Sequence, residues 1–499
     1  MSWVVVATLV IVVVIWVGVH RFEQRHSQDP KTWPLVGAQV EAIRNFDRLH
    51  DWYLTFFSHR HRTVKLSVIS GTVFFTVEPL NVEHILKTNF NNYPKGQRAH
   101  HIVHDFLGDG IFSSDGETWK KHRKVASLEF SNRKLRDFSS DAFREGALRL
   151  TEILHSATIS EKIVDLQDLF MRMTLDSICK VGFGVHVISL SQALPDAPFG
   201  RAFDRVNELT TLRFFNPFWE LQKALNIGNE KLLKQEMKTL NSFTKDVIQK
   251  RRAELQAKKE ARADLLSRFM AYSEGEAGQF TDQELRDAIL NFVIAGRDTT
   301  AITLSWFIYC LCNHPHVADK VFEEMVKVLG LQERTEKYKF DEVAKKLSYE
   351  ALNKMHYLHA ALTETLRLYP PVPRDPKVAA GDDVLPDGTR VKRGDRVVYV
   401  PYAMGRMEFL WGKDAMTYNP SRWLKDEVFQ PESPFKFSAF QAGPRICLGK
   451  ESAYLQMKMT AALLLYFFRF QLVPGHVVRY RITMVLPMAD GLLVHVFPR

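Results

Sequence analysis

From Thr281 to Cys312 the chain reads TDQELRDAILNFVIAGRDTTAITLSWFIYCLC, with no proline. As one helix this stretch spans roughly 45 Å over about 30 residues, and it is apolar on nearly every side. A helix of that kind is stable only through the centre of a large protein. Thr281-x-x-Glu284 predicts its start as a capping box. The composition is that of a large folded chain: 499 residues, 46% apolar and 25% charged, not a disordered one. Length alone allows about three domains. No Gly/Ser- or Pro-rich linker and no repeat breaks the interior, so we read one domain over 38–499. Helical periodicity dominates. TVKLSVISGTVFFTV (63–77), GTRVKRGDRVVYVPY (388–402) and RYRITMVLPMADGLLVHVF (479–497) predict short strands, so the expected class is mainly α with a small β portion. The charged runs 251–264 and 332–346 read as solvated helix faces or loops.

The polar residues in the middle of that helix need an explanation, because an unpaired polar group is costly in an apolar interior. The Thr299 hydroxyl can turn back to the carbonyl of Ala295, four residues earlier, loosening the helix and holding water. Asp298 beside it can pass protons inward. Ala295 and Gly296 give the helix a thin surface.

At the N-terminus, Trp3–Val19 is an apolar run of 17 residues broken only by Thr8 and Gly18. As a helix it reaches roughly 26 Å, near the ~27 Å of an endoplasmic reticulum bilayer. No basic leader or small-residue cleavage site marks a removable signal peptide. His20, Arg21, Arg25 and His26 follow the run and would hold the rest on the cytosolic side. We expect a transmembrane anchor over 3–19 and a Pro-containing connector over 20–37. The net charge of +10 favours anionic partners. The basic residues are dispersed and form no nucleic-acid motif, so nucleic acid is not expected.

Only four cysteines are present: Cys179, Cys310, Cys312 and Cys447. The last stands alone in FQAGPRICLG (440–449), with no cysteine nearby for a disulfide or a zinc cluster. A lone thiolate ligand to an iron porphyrin fits. The helix expected over 447–468 would favour a thiolate at its N-terminus. Gly443 and Gly449 let the backbone approach a flat ring. Arg445 can pair with a propionate, and Phe440 can pack on the sulfur. A buried, inert cysteine is the plainer alternative. Trp119 and Arg123 in WKKHR lie one helical turn apart, within a basic face that includes Lys120, Lys121, His122 and Lys124. The histidines His100, His101 and His104 suggest metal, but no carboxylate stands at ligand spacing. We read them as surface or substrate-facing.

FQAGPRICLG resembles the heme-binding loop of cytochromes P450. AGRDTT (295–300), ETLR (364–367) and WKKHR (119–123) resemble that family's other motifs, in the family's order. The resemblance implies a cytochrome P450 fold with an N-terminal transmembrane helix and heme b on Cys447. It further implies propionate contacts from Arg445, Trp119, Arg123 and Lys377, and a structural triad of Glu364, Arg367 and Arg422. Ser421 and Trp423 depart from the family's Pro-Glu-Arg-Phe pattern, which alters local packing there. Asp298 and Thr299 would be the proton-delivering residues. Phe112, Phe292, Val293, Ile294, Ala295, Val372 and Met488 would wall the substrate, though these apolar residues suit plain core equally well.

NNYPKG (91–96), LGDGIF (107–112), LTETLRLYPPVP (362–373) and PYAMGRMEFLWG (401–412) resemble the plant fatty-acid ω-hydroxylase clan, above all its branch serving sporopollenin of pollen and spore walls. This implies a monooxygenase acting on the terminal carbon of a long-chain fatty acid. Its electrons would come from NADPH through NADPH–cytochrome P450 reductase, at the endoplasmic reticulum membrane. Animal fatty-acid ω-hydroxylases carry a heme-esterified Glu where this chain has Ala295, so noncovalent heme is expected. Alternatives are an in-chain hydroxylase or epoxygenase of another lipid, a heme-thiolate isomerase, and a noncatalytic heme or lipid carrier.

Overall fold

A computed structural model describes residues 3–26, 29–130, 133–185, 187, 190, 198–257, 264–272, 279–331 and 339–499. Parts of both charged runs, 258–263 and 332–338, lie outside the described residues. The chain makes two compact units. One comprises Met1–Gly96, Pro373–Thr417 and Ser433–Ile446; the other comprises Gln97–Val372, Tyr418–Glu432 and Cys447–Arg499. Each is assembled from three separate stretches, which is why no linker composition is visible in the sequence.

The first unit opens with helix α1 (Trp3–Glu23, 21 residues), the element expected as an anchor. Some of its side chains fall outside the description. No helix described throughout is long and apolar enough to cross a membrane. Side chains tie the end of α1 and Trp33 to Glu41. Glu41 accepts hydrogen bonds from Arg21 and from the Trp33 indole, both at 3.0 Å, and the Arg21 guanidinium sits 4.6 Å from the Trp33 ring centre.

Strands β1 (Thr63–Val68), β2 (Gly71–Thr76), β3 (Asp375–Val378) and β4 (Arg396–Tyr399) form a sheet in the order β1-β2-β4-β3. In β1 the alternation is plain: Val64 and Leu66 are buried while Lys65 and Ser67 face out, as a half-covered sheet requires. β1 and β2 pair antiparallel, Thr63 opposite Thr76, and β2 runs parallel to β4, Val73 opposite Arg396. β3 returns antiparallel, which sets Lys377 opposite Val397.

The second unit is mostly helical. The helices that matter for the site are α2 (Gln97–Leu107), α3 (Gly116–Phe130), α4 (Leu166–Phe183), α5 (Pro198–Leu212), α6 (Asp282–Val293), α7 (Thr299–Asn313), α8 (His356–Leu368) and α9 (Lys450–Phe467). A three-stranded sheet is added by Val164–Asp165, Phe468–Leu472 and Leu493–Pro498, with Phe470 opposite Val496. The expected capping box is present: Glu284 N–H donates to the Thr281 hydroxyl at 3.2 Å, and Thr281 N–H donates to the Glu284 carboxylate at 2.7 Å. Every residue of α9 from Tyr454 to Tyr466 is buried. With about 1.5–3 kcal/mol for each large apolar side chain removed from water, this helix and the α6–α7 run form the core's axis.

Candidate active site

The central helix is not continuous. Between α6 and α7, Ile294–Asp298 form a π-turn, and the Thr299 hydroxyl donates to the Ala295 carbonyl at 2.7 Å. A single π-turn inside a long helix widens the backbone ladder, and this one falls on the motif where sequence chemistry expected loosening. From Leu285 to Ile308 every residue is buried except Ala295, Gly296 and Thr299. Those three mark one accessible strip in the middle of a buried helix. Gly296 does more than thin the surface. A Cβ there would lie 2.8 Å from Ile178 of α4, so its absence also lets α4 pack closely.

Asp298 faces away into a polar cluster. Its carboxylate accepts from Arg297 at 2.8 Å and from Asn207 of α5 at 3.4 Å. Arg297 is buried and also reaches Asp204, whose side chain is 54% exposed. Burial raises the Asp298 carboxyl to about 7, with Arg297 opposing and Asp204 adding to the rise. A carboxyl in that range exchanges protons at neutral pH. Asp204, Arg297 and Asp298 thus link exposed surface to the π-turn. Asp204 and Asn207 were not visible as partners in the sequence, since they lie on another helix.

Cys447 lies two residues before Gly449, the N-cap of α9. Of the four cysteines, Cys179 and Cys310 are buried and Cys312 is partly so, whereas Cys447 is exposed by area. Its sulfur is nonetheless crowded by protein. Burial pushes the thiol up, while the Gly449 N–H, Arg123 and Lys450 pull it down. The Gly449 N–H at the start of α9 thus favours the thiolate form, while burial opposes it. In α3, Trp119 is buried and Arg123 half-buried, and Arg123 lies close enough to Cys447 to feel its charge. The basic face divides. Lys120 and Lys124 are exposed, Lys121 donates to Glu284 at 2.9 Å, and burial lowers His122 to about 4.

The triad is assembled around Glu364 of α8. Arg367 donates to both its oxygens at 2.7 and 2.8 Å, and Arg422 donates at 3.0 Å. Trp423, the unexpected residue, donates its indole N–H at 2.8 Å, and the Asn419 backbone N–H adds 2.9 Å. The departure from the common pattern supplies a further donor to a buried carboxylate.

In the first unit, Gly443 has φ +64°, and a Cβ on it would stand 2.0 Å from the Leu86 carbonyl oxygen; only glycine fits. Phe440 is partly buried, and the Arg445 guanidinium lies 6.0 Å from the centre of the Phe90 ring. Lys377 of β3 is fully buried and donates to Asp375 at 2.9 Å, with Tyr399 donating at 3.0 Å and Lys95 forming an ion pair at 3.5 Å. Burial drives Lys377 down to about 7 against the pull of Asp375, and Lys95 and Arg445 lower it further. Although burial raises Asp375, the neighbouring lysines and the Tyr399 hydroxyl hold it well below the usual carboxylate range. Lys95 and Arg445 lie near enough to Lys377 to act on it, and basic side chains gathered in this way suit an anionic group.

Among the expected wall residues, Phe112 is exposed and Val372 partly exposed, while Phe292, Val293, Ile294 and Met488 are buried. Phe292 rests edge-on against Phe269, ring centres 5.9 Å apart.

A cytochrome P450 family model matches residues 28–488. The chain belongs to the cytochrome P450 family. Cytochrome P450 704B1 of Arabidopsis thaliana is 50% identical over 511 residues, covering 97% of each chain. Cytochrome P450 704C1 of Pinus taeda is 49% identical, covering 93% of this P450 and 92% of its own length. Cytochrome P450 86B1 of Arabidopsis thaliana is 39% identical over 98% of this chain and 89% of its own. Family membership carries a heme-thiolate cofactor and electrons from a redox partner. The residues of this P450 fit the group. The second unit offers the Cys447 sulfur with Arg123 beside it; the first unit, taken by itself, offers a glycine cradle at Gly443 and the cations Lys95, Lys377 and Arg445, whose chemistry suits propionates. Bound heme supplies dioxygen activation, which no amino-acid side chain provides.

Proposed function

We propose that this P450 is a monooxygenase that hydroxylates the terminal carbon of long-chain fatty acids, serving sporopollenin precursors of pollen or spore walls. The observation that carries the reading is likeness to cytochromes P450 704B1 and 704C1 at about half identity over nearly the whole chain. The clan resemblance of NNYPKG, LGDGIF and LTETLRLYPPVP agrees with it.

In this reading Cys447 would hold the heme iron through its thiolate, with Arg123 and the Gly449 N–H offsetting its charge. Arg445, Lys377, Trp119 and Arg123 would hold the propionates, and Phe440, Gly443 and Gly449 would shape the loop that takes the ring. Asp298 takes protons from the Asp204–Arg297 side and releases them toward Thr299, whose hydroxyl is anchored on the Ala295 carbonyl. Ala295 offers no carboxylate, so this position would form no ester with the heme. Electrons come from NADPH by way of NADPH–cytochrome P450 reductase, an acidic partner suited to exposed Lys120 and Lys124.

Helix α1 is the membrane anchor in the endoplasmic reticulum, and the domain behind it faces the cytosol. Ile11, Val12, Val13, Val14, Ile15 and Trp16 are exposed in an unbroken row, so apolar surface surrounds the helix. That arrangement suits lipid and not water.

Palmitic and oleic acids incubated with the reductase-coupled enzyme decide the substrate reading by mass spectrometry of the products. Terminal alcohols are expected to dominate. Mainly in-chain alcohols or epoxides would overturn the ω-hydroxylase reading and leave the monooxygenase one.

A further inference from the structure

The three histidines of α2 do not act alike once folded. His101 turns toward Trp219 (ring centres 5.0 Å) and Glu220 (3.3 Å). His100 and His104, four residues apart, share one helix face, with ring centres 5.1 Å apart. The carboxylate that sequence spacing did not supply is Asp109, brought back by the turn after α2. His100 Nε2 lies 2.7 Å from one Asp109 oxygen and His104 Nε2 lies 3.9 Å from the other. Donor atoms of all three residues fall within 4.8 Å of one another.

We propose that His100, His104 and Asp109 form a binding site for a late first-row divalent cation such as zinc. Two imidazoles and one carboxylate select zinc, nickel, cobalt or copper over magnesium and calcium, which prefer oxygen donors. Zinc would draw the donors to about 2.0–2.2 Å from itself. Partial exposure of all three side chains leaves room for that adjustment and for water in the remaining positions.

The turn is held in place before any ion arrives. Asp109 N–H donates to Asp287 of α6 at 3.0 Å. Asp287 is itself bonded by Arg286 at 2.8 Å and Gln283 at 2.9 Å. Farther along, Phe112 N–H donates to Asn291 at 3.0 Å, and Asn291 donates to the Leu107 carbonyl at 2.8 Å. An ion joining α2 to Asp109 therefore stiffens a segment already fastened to the helix that leads into the π-turn.

The test is equilibrium dialysis of the untagged holoenzyme against zinc, with metal measured per chain, on four proteins: the wild type, His101→Ala, Asp109→Asn and His100→Ala/His104→Ala. A carbon monoxide difference spectrum checks the fold of each. Wild type and His101→Ala should bind one zinc ion more tightly than the double variant by at least about tenfold, with Asp109→Asn between them. Hydrogen exchange over 100–112 should slow with zinc in the wild type and not in the double variant. Equal binding by wild type and double variant would overturn the site. Equal loss in His101→Ala, or zinc binding with no protection over 100–112, would place the ion elsewhere and overturn it too.

Discussion

Glu364 has no accessible surface, and a buried carboxylate persists only when donors replace its water. Arg367 and Arg422 supply charge, but Trp423 and the Asn419 N–H supply the remaining geometry. Trp423→Phe keeps most of the apolar volume and removes one hydrogen bond to a charged group, a loss of about 1.5–3 kcal/mol. We expect the variant to retain heme and to lose its Soret band at a lower temperature on heating. An unchanged midpoint would mean that the indole N–H contributes nothing there. Sequence reasoning found Glu364, Arg367 and Arg422 because a motif names them. It treated Trp423 only as an altered packing residue, because a donor's target cannot be read from a spacing of 59 positions. Lys95 was missed for a similar reason. Its partner Asp375 lies on a strand nearly three hundred residues away, and nothing local marks the pair.

The α6–π-turn–α7 run shows how far local signals reach at the scale of an element. Helix, start and interior polarity were legible: the capping box sits where Thr281 and Glu284 put it, and the apolar surface is buried as its periodicity requires. The break at Ile294–Asp298 was legible only as a tendency of Thr299 to bond backward. The polar cluster that holds Asp298 depends on Asp204 and Asn207 of α5, which packing brings in from outside the motif. The cluster makes a pH prediction. Burial places Asp298 near 7, so its protonated fraction declines as pH rises through that value, and proton supply declines with it. Product formed per NADPH should fall above about pH 7 in the wild type. In Asp298→Asn it should be flat with pH, with turnover lower by about a hundredfold, a usual size for lost acid–base help. Thr299→Ala should raise the peroxide released per NADPH at every pH, because the hydroxyl beside the π-turn is gone. A wild-type profile kept intact in Asp298→Asn would remove that carboxyl from proton delivery.

At the scale of the whole molecule, anchor and catalytic parts are separable in sequence, and chain-end selection must come from the catalytic part. Deleting residues 1–28 should release much of the protein from salt-washed membranes while the carbon monoxide spectrum persists, since the heme motifs begin far downstream. Full membrane retention would sink the role given to α1. Regiochemistry asks more of the fold, because internal C–H bonds are weaker than those of the terminal methyl, and the wall must admit only the chain end. Exposure separates the candidate wall residues. Phe292 is packed against Phe269, so Phe292→Ala should cost about 3–5 kcal/mol in stability through the cavity it leaves. Val372 keeps accessible surface and can be trimmed with little effect on the core. Val372→Ala should therefore raise the share of ω-1 and ω-2 alcohols at unchanged thermal stability, by letting the chain slide deeper. Each ~1.4 kcal/mol of lost discrimination changes the product ratio about tenfold, so mass spectrometry reads small effects. If Val372→Ala leaves the product ratio unchanged while Phe112→Ala shifts it, the wall runs along the segment after α2 and not along the one after α8.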